Sequence, residues 1–318
     1  MKEEEVINLG NQLNFDAIKA SPLKLEASGR EYWRIFNNKN HSLVLCYLDP
    51  DIGEHSNFIK ITNSLSENNV LCPNIIHHNK KLGVTLQEDL GDNDLLSLLN
   101  HENKDRLLEN SLDLLIQIQN SKIDGIDRFG ENELKEQMIS FKKVFCEKFL
   151  KMESSNFIDV LISDTIDNLD NHPWVNCHYD FERRNLILNK NNDLTVIDYQ
   201  DMRIGPMGID LAGILIDHYY EIDFNDVKNL LTYYSENIQP AINKDKAFEY
   251  ITWGSIQRNI RILGTLANLY IEHNRAFRIK DLPMILSNLI LMIPDEYDCK
   301  TILEQEIKPL LNKRIAQL

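Results

Sequence analysis

The sequence has few glycines and no glycine-rich phosphate-binding loop of a standard type. Only 12 of its 318 residues are glycine, and neither G-x-G-x-x-G nor G-x-x-x-x-G-K occurs along the chain. The first pattern is typical of dinucleotide-binding domains and the second of classical P-loop ATPases. The sequence therefore supports neither class.

Cysteines are also few, and they lack the paired spacing that binds a metal. The five cysteines stand apart from one another, at positions 46, 72, 146, 177 and 299. The acidic start Met1–Glu5 is not followed by the apolar run of an export signal. An odd number of cysteines without such a signal favours free thiols in a reducing cytoplasm.

Long hydrophobic runs and an excess of basic charge are both absent. The most apolar stretch, 284–293, contains Ser287 and Asn288 and is too short to span a bilayer. Lys and Arg total 34 against 49 Asp and Glu, so the formal net charge is −15. This charge argues against nucleic acid and against an anionic membrane surface as partners, although solubility alone also explains it.

The most informative segment that is present is Cys177–Asn185, which contains the spacing H-x-D-x-x-x-x-N. Asp180 and Asn185 belong to one tight loop, and Asp198 ends an apolar strand after a hairpin with its turn at 189–193. One carboxylate of such a set can deprotonate an attacking hydroxyl, while an amide and a second carboxylate hold Mg²⁺ on the phosphates of ATP. The pattern is typical of a kinase-like phosphotransferase core. The alternative is that these residues only form turns.

Hydrophobic spacing changes along the chain from the strand type to the helix type. Strand-like runs dominate up to about residue 90, and helical runs follow. The first part is predicted to contain a helix over 1–20, strands over 21–26, 31–36 and 42–48, a helix over 56–68, and a hairpin over 75–87. The second part includes a long helix at about 243–273.

The change in spacing predicts an α+β chain with a two-lobed protein-kinase-like fold. The small N-terminal lobe would contain an antiparallel sheet, and the C-terminal lobe would be mostly helical. We place the boundary at Asp89–Asp92. This predicts a nucleotide-binding domain at 1–90 and a helical domain with the catalytic and substrate sites at 91–318.

The turn between the first two predicted strands is the candidate phosphate-covering loop. It spans 25–31 and has a single glycine, Gly29. The Ser28 hydroxyl and the backbone amides of 28–30 can donate hydrogen bonds to phosphate. An ordinary hairpin turn is the alternative.

The third strand lacks the lysine that usually pairs with the α- and β-phosphates. Cys46 or Tyr47 occupies that place. The cation must then come from elsewhere, or Mg²⁺ must carry more of the charge. The candidate cations are Arg30, Arg34 and Arg184, of which Arg184 is favoured because it adjoins the Asn185 metal ligand.

These segments resemble a known family. Residues 178–188, 196–201 and 205–215 are similar to the aminoglycoside phosphotransferase and choline-kinase superfamily. Together with 255–261 they more closely resemble the bacterial anomeric kinases of cell-wall sugar recycling. Those kinases phosphorylate the C1 hydroxyl of N-acetylmuramate and N-acetylglucosamine.

The resemblance implies a role for each matching residue. Asp180 is the expected base, and Asn185 and Asp198 are the expected Mg²⁺ ligands. Asp210 is expected to hold the catalytic loop by hydrogen bonds. The segment 87–90 is expected to meet adenine through backbone groups. With the phosphate turn, the expected ATP contacts are Ser28, Gly29, Arg30, Glu88 and Arg184.

Three positions depart from the family pattern. Tyr179 stands where an arginine usually braces the catalytic loop, so the anchoring of this loop is expected to differ. Asn259 replaces a usual His and Ile209 a usual Tyr, which predicts an altered sugar pocket.

The candidate substrate contacts come from two helices. Asp217 and His218 follow the metal-binding segment, and Gln257, Arg258 and Arg261 lie on the long late helix. Arg258 can bind the lactyl carboxylate of N-acetylmuramate in a bidentate manner, and a buried ion pair with an aspartate is the alternative.

The sequence thus predicts an ATP- and Mg²⁺-dependent amino-sugar 1-kinase with no nucleic-acid or membrane partner. One alternative is an aminoglycoside or choline-type kinase of the same superfamily. Another is a non-catalytic nucleotide-binding scaffold.

Overall fold

The structure is a computed structural model that divides into two compact units. It describes residues 1–318 except 24–28, 154, 220–222 and 277, and it leaves out the side chain of Glu131. The first unit comprises Met1–Leu98, Ser121–Ile126 and Arg184–Asp201, and the second comprises Leu99–Asn120, Asp127–Arg183 and Met202–Leu318. The domain boundary placed near residue 90 from the sequence stays a prediction.

The strands of the described residues form antiparallel ladders. They are β1 (Ala17–Pro22), β2 (Glu31–Asn37), β3 (Ser42–Tyr47), β4 (Ile75–Asn79), β5 (Val84–Glu88), β6 (Trp174–Cys177), β7 (Leu186–Leu188), β8 (Leu194–Val196) and β9 (Arg203–Pro206). The first unit has a five-stranded sheet in the order β1-β2-β3-β5-β4 and the β7–β8 hairpin. In the second unit β6 pairs with β9.

The α-helices of the first unit are few, and those of the second unit form most of it. The first unit contains α1 (Glu3–Gln12), α2 (Ser56–Glu67) and α3 (Leu95–Leu98). The second contains α4 (Lys104–Asn120), α5 (Glu131–Ser140), α6 (Asp159–Asp170), α7 (Gly208–Leu215), α8 (Phe224–Asn237), α9 (Lys244–His273), α10 (Leu282–Met292), α11 (Asp298–Ile302) and α12 (Lys308–Ile315). Two π-helical segments adjoin them, Phe141–Phe149 and Leu303–Ile307. No helix of the described ranges combines the length and apolar character needed to cross a bilayer.

The helix predicted over 1–20 is wrong in its second half. Helix α1 ends at Gln12, and Asn14 and Asp16 then adopt positive φ angles of 62° and 55°. Short polar side chains tolerate this left-handed conformation, which stops a helix. The helix prediction rests on an apolar stripe in the sequence that reaches Ile18, but Ile18 is 63% exposed and lies on β1. The strand predicted over 21–26 therefore begins at residue 17, and its residues 24–26 lie outside the described chain.

The other elements predicted for the first unit are confirmed. Helix α2 and the β4–β5 hairpin lie where the hydrophobic spacing indicated. Strand alternation gives the sheet two different faces. One face packs against α1 through a core that contains Trp33, Ile35, Leu43, Leu45, Val84 and Leu86. The register pairs Cys46 with Tyr32 and with Thr85, so these three side chains share the opposite face.

Helices α7 and α9 cross at very short range in the second unit. A Cβ on Gly254 of α9 would lie 2.1 Å from the carbonyl oxygen of Gly208, the first residue of α7. A Cβ on Gly208 would lie 1.9 Å from the carbonyl oxygen of Tyr250. Only glycine permits such an approach, which brings the backbones of the two helices into direct contact. Every residue of α7 is buried, including the carboxylate-bearing Asp210.

Candidate active site

The loop that follows β6 is held by Asp210. The backbone N–H of His178 donates to Asp210 Oδ2 at 2.6 Å, and that of Tyr179 donates to Oδ1 at 2.8 Å. Burial raises the pKa of Asp210 above its ordinary value. The charge of His178 and the backbone hydrogen bonds from His178 and Tyr179 offset part of that rise. The expectation that Asp210 holds this loop is confirmed.

Tyr179 adopts a conformation that few non-glycine residues adopt. Its φ is 76°, and its ring lies 4.6 Å from the ring of Phe129. Its hydroxyl donates to Gln137 Oε1, and Gln257 Nε2 donates to the Tyr179 hydroxyl oxygen at 3.4 Å. Burial raises the pKa of Tyr179 to about 12. The tyrosine is therefore neutral and fixed at both its backbone and its ring.

Asp180 is the more exposed of the two carboxylates in the loop 178–183, because Glu182 is buried. The Asp180 side chain is 50% exposed, and its Oδ1 accepts a hydrogen bond from Arg261 Nη2 at 3.2 Å. The Arg261 guanidinium carbon also lies 4.1 Å from the centre of the Tyr179 ring. The sequence suggested Arg261 as a sugar contact, not as a partner of Asp180. Its position at the end of the 255–261 segment was the available signal.

Asn185 and Asp198 lie in the first unit, on the two sides of the β7–β8 hairpin. The Ile197 N–H donates to the Asn185 carbonyl oxygen at 2.9 Å, which continues the hairpin ladder to the residue before Asp198. Asp198 has a φ of 62°, and its Oδ1 accepts from Gln200 Nε2 at 2.6 Å. Strained backbone of this kind is frequent at functional positions.

The donor set of this hairpin fits Mg²⁺. Mg²⁺ prefers hard oxygen ligands and is usually bound through one or two protein carboxylates plus phosphate oxygens. Asn185 supplies an amide oxygen and Asp198 a carboxylate. The described residues contain no cluster of three or more His, Cys, Asp or Glu side chains suited to a metal, so a site built on protein ligands alone has no support there.

Strand β3, which bears Cys46, contains no lysine. Burial raises the pKa of the Cys46 thiol to about 11, and hydrogen bonding with Tyr32 and the charge of Arg30 offset only part of that rise. The negative charge of Asp198 acts on both Cys46 and Tyr32. The place of the usual lysine is thus filled by a neutral thiol, with Arg30 and Asp198 as the nearby charges.

Of the three candidate cations, Arg34 is committed to a structural contact. Its Nε lies 2.8 Å from Asp89 Oδ2 and its Nη2 lies 2.9 Å from Asp92 Oδ1. The buried Nε of Arg30 has no hydrogen-bond partner among the described residues, and the same holds for Arg34 Nε, so this atom does not distinguish the two arginines. Arg184 is half-buried and follows Arg183 in a short 3₁₀ turn.

Gly29 and Glu88, two of the remaining predicted ATP contacts, adjoin strands of the same sheet. Gly29 is exposed with a φ of 74°, and a Cβ on it would meet no atom of the described chain within 4 Å. Glu88 ends β5 and its Oε2 accepts from Asn74 Nδ2 at 2.8 Å. Ser28 lies outside the described residues.

Four of the predicted substrate residues, Asp217, His218, Gln257 and Arg258, are buried in the second unit. Arg258 pairs with Glu182, with 2.8 Å between Nη2 and Oε2. This agrees with the ion-pair alternative, although the partner is a glutamate. Gln257 Nε2 donates to Gln137 Oε1 at 3.1 Å.

Asp217 and His218 are buried close to this ion pair, because the charges of Glu182 and Arg258 both act on Asp217. Arg183 donates to the Ile214 carbonyl oxygen and lies 3.9 Å from Asp217 Oδ2. Arg278 Nη2 lies 2.7 Å from His218 Nε2. Burial raises the pKa of Asp217, and the Arg183 charge counters that rise. A substrate role for these residues stays a prediction.

Comparison with known proteins matches the chain to one family model over residues 19–245, described as the phosphotransferase enzyme family. The chain belongs to this family. Two relatives of the family are named N-acetylmuramate/N-acetylglucosamine kinase. The protein from Neisseria meningitidis serogroup B is 25% identical over 83% of this chain and 82% of its own length. The protein from Pseudomonas putida is 25% identical over 81% of this chain and 78% of its own length.

Similar solved structures establish the fold. Choline kinase LicA from Streptococcus pneumoniae superposes with a TM-score of 0.63 at 13% identity, over 90% of this chain and 98% of that chain. Spectinomycin phosphotransferase, solved in complex with ADP and spectinomycin, gives a TM-score of 0.62 at 14% identity, over 97% of this chain and 99% of that chain. The predicted family and the predicted α+β kinase-like fold are confirmed.

Proposed function

We propose that the protein is an ATP- and Mg²⁺-dependent kinase that phosphorylates the C1 hydroxyl of an amino sugar, N-acetylmuramate or N-acetylglucosamine. The observation that carries this proposal is the similarity to two kinases of these sugars over more than four-fifths of the chain. The presence of Asp180, Asn185 and Asp198 at the spacing of a phosphotransferase supports it further.

Asp180 is the proposed general base. The sugar hydroxyl oxygen attacks the γ-phosphorus of ATP, and its proton passes to the Asp180 carboxylate. As the new O–P bond forms, the bond from the γ-phosphorus to the bridging oxygen breaks, and ADP leaves with that electron pair. The half-exposed carboxylate and the two hydrogen bonds that anchor its loop support this role, because a base must be both accessible and fixed.

Asn185 and Asp198 are the proposed Mg²⁺ ligands. Their oxygen donors and the backbone hydrogen bond between Ile197 and Asn185 support this assignment. When bound, Mg²⁺ supplies positive charge that stabilises the phosphoryl group during transfer.

The proposed ATP contacts are Ser28, Gly29, Arg30, Glu88 and Arg184. Beside the sheet, Arg30 is the best supported replacement for the lysine that usually pairs with phosphate. Cys46 is neutral, and Arg34 is already paired with Asp89 and Asp92. Arg184 is kept as the second candidate cation.

For the sugar, Arg258 is the weakest of the four proposed contacts, because its guanidinium already pairs with Glu182 in a buried position. Truncating one partner of such a pair leaves an unpaired buried charge. Loss of function in an Arg258 variant would therefore report on folding as well as on the substrate.

The decisive experiment is turnover with purified protein, Mg-ATP and either N-acetylmuramate or N-acetylglucosamine, followed by detection of the sugar 1-phosphate. A parallel ADP-release panel contains choline and spectinomycin. Release with only these acceptors would replace the amino sugar by another substrate class. Nucleotide binding without release for any acceptor would favour the scaffold alternative.

Asp180→Asn should lower kcat by about 10²- to 10⁴-fold, the range expected for loss of a general base. Binding of Mg-ATP, measured by calorimetry, should stay within about threefold of wild type because Asp180 is not assigned to the nucleotide. Asp193→Asn makes the same chemical change at an exposed turn residue and should leave kcat unchanged. Wild-type turnover in Asp180→Asn would remove Asp180 from the role of base.

A further inference from the structure

Three residues on one side of α9 contact three residues of the loop 178–183. Gln257 donates to the Tyr179 hydroxyl at 3.4 Å, Arg258 pairs with Glu182 at 2.8 Å, and Arg261 donates to Asp180 at 3.2 Å. Side chains three and four residues apart lie on the same side of a helix. The rigid helix is thereby connected to the loop that carries the proposed base.

We propose that Arg261 is a positioning residue that orients the Asp180 carboxylate, and that the ring of Tyr179 fixes the Arg261 guanidinium. This inference rests on the proposed function, since it gives Asp180 its role. The Nη2 atom of Arg261 donates both to Asp180 Oδ1 at 3.2 Å and to the Tyr179 carbonyl oxygen at 3.3 Å. One guanidinium therefore contacts the carboxylate and the backbone immediately before it.

Tyr179 forms the platform on which this guanidinium lies. Its ring is packed on one side by Phe129 and faces the Arg261 guanidinium carbon at 4.1 Å. Arginine stacks favourably on an aromatic ring, and the attraction increases when water is excluded. The Arg261 side chain is 13% exposed. The tyrosine that departs from the family pattern thus has a specific contact, and the arginine beside the base comes from α9 instead of the loop.

Arg261 stays positively charged in this position. Burial by itself lowers the pKa of Arg261, but Tyr179 and Asp180 raise it by more, so the net shift is upward. A permanent cation next to Asp180 restricts the carboxylate to orientations that keep the hydrogen bond. A misplacement of a reacting group by about 1 Å can cost about 10²-fold in rate. Loss of this restriction should therefore lower kcat.

Four variants separate positioning from a structural contribution. Arg261→Gln removes the charge, and we expect kcat to fall by about 10²-fold while the KM for ATP changes by less than about threefold. Arg261→Lys keeps a cation and should recover at least about tenfold of that loss. Tyr179→Leu removes the platform and should lower kcat as Arg261→Gln does, whereas Tyr179→Phe keeps the ring and should lose less.

The kcat of the double variant Tyr179→Leu/Arg261→Gln should be no lower than that of the more impaired single variant, because both changes remove the same contact between Tyr179, Arg261 and Asp180. Arg275→Gln, the same change at an exposed residue just beyond α9, is the control and should keep the wild-type kcat. The melting temperature of every variant is measured alongside. A purely structural role predicts a lower melting temperature, similar losses in kcat and ATP affinity, and no recovery with lysine.

The outcomes for the two proposals are distinguishable. If the wild type forms the sugar 1-phosphate and Arg261→Gln keeps its kcat, the positioning role is overturned and the proposed function stands. If the wild type phosphorylates only choline or spectinomycin, the amino sugar is overturned, and the Arg261 series run on that acceptor tests positioning. Absence of turnover with every acceptor overturns both.

Discussion

Cys46 shows how a single side chain alters the chemistry of the sheet in the first unit. It occupies the place where a lysine would normally pair with phosphate, yet it is 1% exposed and hydrogen bonds with Tyr32 and Thr85. A lysine there would need an anionic partner, because burying an unpaired charge is costly. Arg30, whose charge acts on both Cys46 and Tyr32, supplies positive charge from the end of the neighbouring strand instead.

The same burial makes the thiols of this protein unreactive. All five cysteines are free and buried, and burial raises the pKa of Cys46 and of Cys299 to about 11. Because the thiolate is the reactive form, we expect no thiol to react with Ellman's reagent at pH 8 within minutes, and all five to react in denaturant. Ser163→Cys places a thiol at an exposed position and should add one fast-reacting group. A fast thiol in the unmodified native protein would contradict this prediction.

Helix α9 is the element on which the loop depends most. Its 30 residues are buried over much of their length, and its glycine contact with α7 fixes the distance between the two helices that hold the loop. Helix α7 contributes Asp210, and α9 contributes Gln257, Arg258 and Arg261. A change at the helix crossing therefore affects both the stability of the second unit and the proposed base.

Gly254→Ala tests this dependence. The added Cβ would lie 2.1 Å from the Gly208 carbonyl oxygen, so the helices must separate. Overpacking of this kind costs about 1–3 kcal/mol in the free energy of unfolding, sometimes more, and we expect kcat to fall as well because Asp210 moves with α7. Urea denaturation and the turnover assay measure the two effects. Thr265→Ala, at an exposed position of the same helix, should change neither, and wild-type stability in Gly254→Ala would contradict the close approach.

The stability of the whole molecule is expected to depend on acid through a buried histidine. His172 is 5% exposed, its ring lies 4.6 Å from that of Tyr250, and neither ring nitrogen has a hydrogen-bond partner in the described chain. Burial, with a smaller effect from Lys246, lowers the pKa of His172 to about 3. The folded protein therefore requires the neutral imidazole, whereas the unfolded chain binds a proton below a pH of about 6.5.

The unfolded state binds more protons than the folded state between these two pKa values, so stability falls as the pH is lowered through this window. The contribution of His172 is complete above a pH of about 6.5, and at pH 4.5 about 2–3 kcal/mol of it should be lost. His172→Phe should remove that part of the pH dependence, as measured by urea denaturation at pH 7 and 4.5. His101→Phe, the same change at an exposed position, should leave it as in the wild type. Parallel pH profiles for wild type and His172→Phe would contradict the prediction.

Much of the fold and part of the candidate site could be read from local patterns. Strand alternation and helical spacing located the β4–β5 hairpin, the β7–β8 hairpin and α9, because the hydrophobic periods of strands and helices differ within a few residues. The short offset between Asp180 and Asn185 indicated the phosphotransferase family that the chain belongs to, and the aspartate at position 210 was correctly expected to hold the loop. The end of α1 was missed, because the left-handed residues Asn14 and Asp16 interrupt an apolar stripe that continues in the sequence.

Contacts between residues far apart along the chain could not be read in this way. Arg258 pairs with a glutamate 76 residues away, and Arg261 meets Asp180 across 81 residues. Nothing near either arginine distinguishes a structural ion pair from a substrate contact or a positioning contact. Side-chain period and turn chemistry report only the immediate neighbours, whereas the partner of a buried charge is set by which helix packs against which loop. Periodicity and motif spacing thus specified the elements and the type of reaction, and folding selected the partners of the charged side chains around the proposed base.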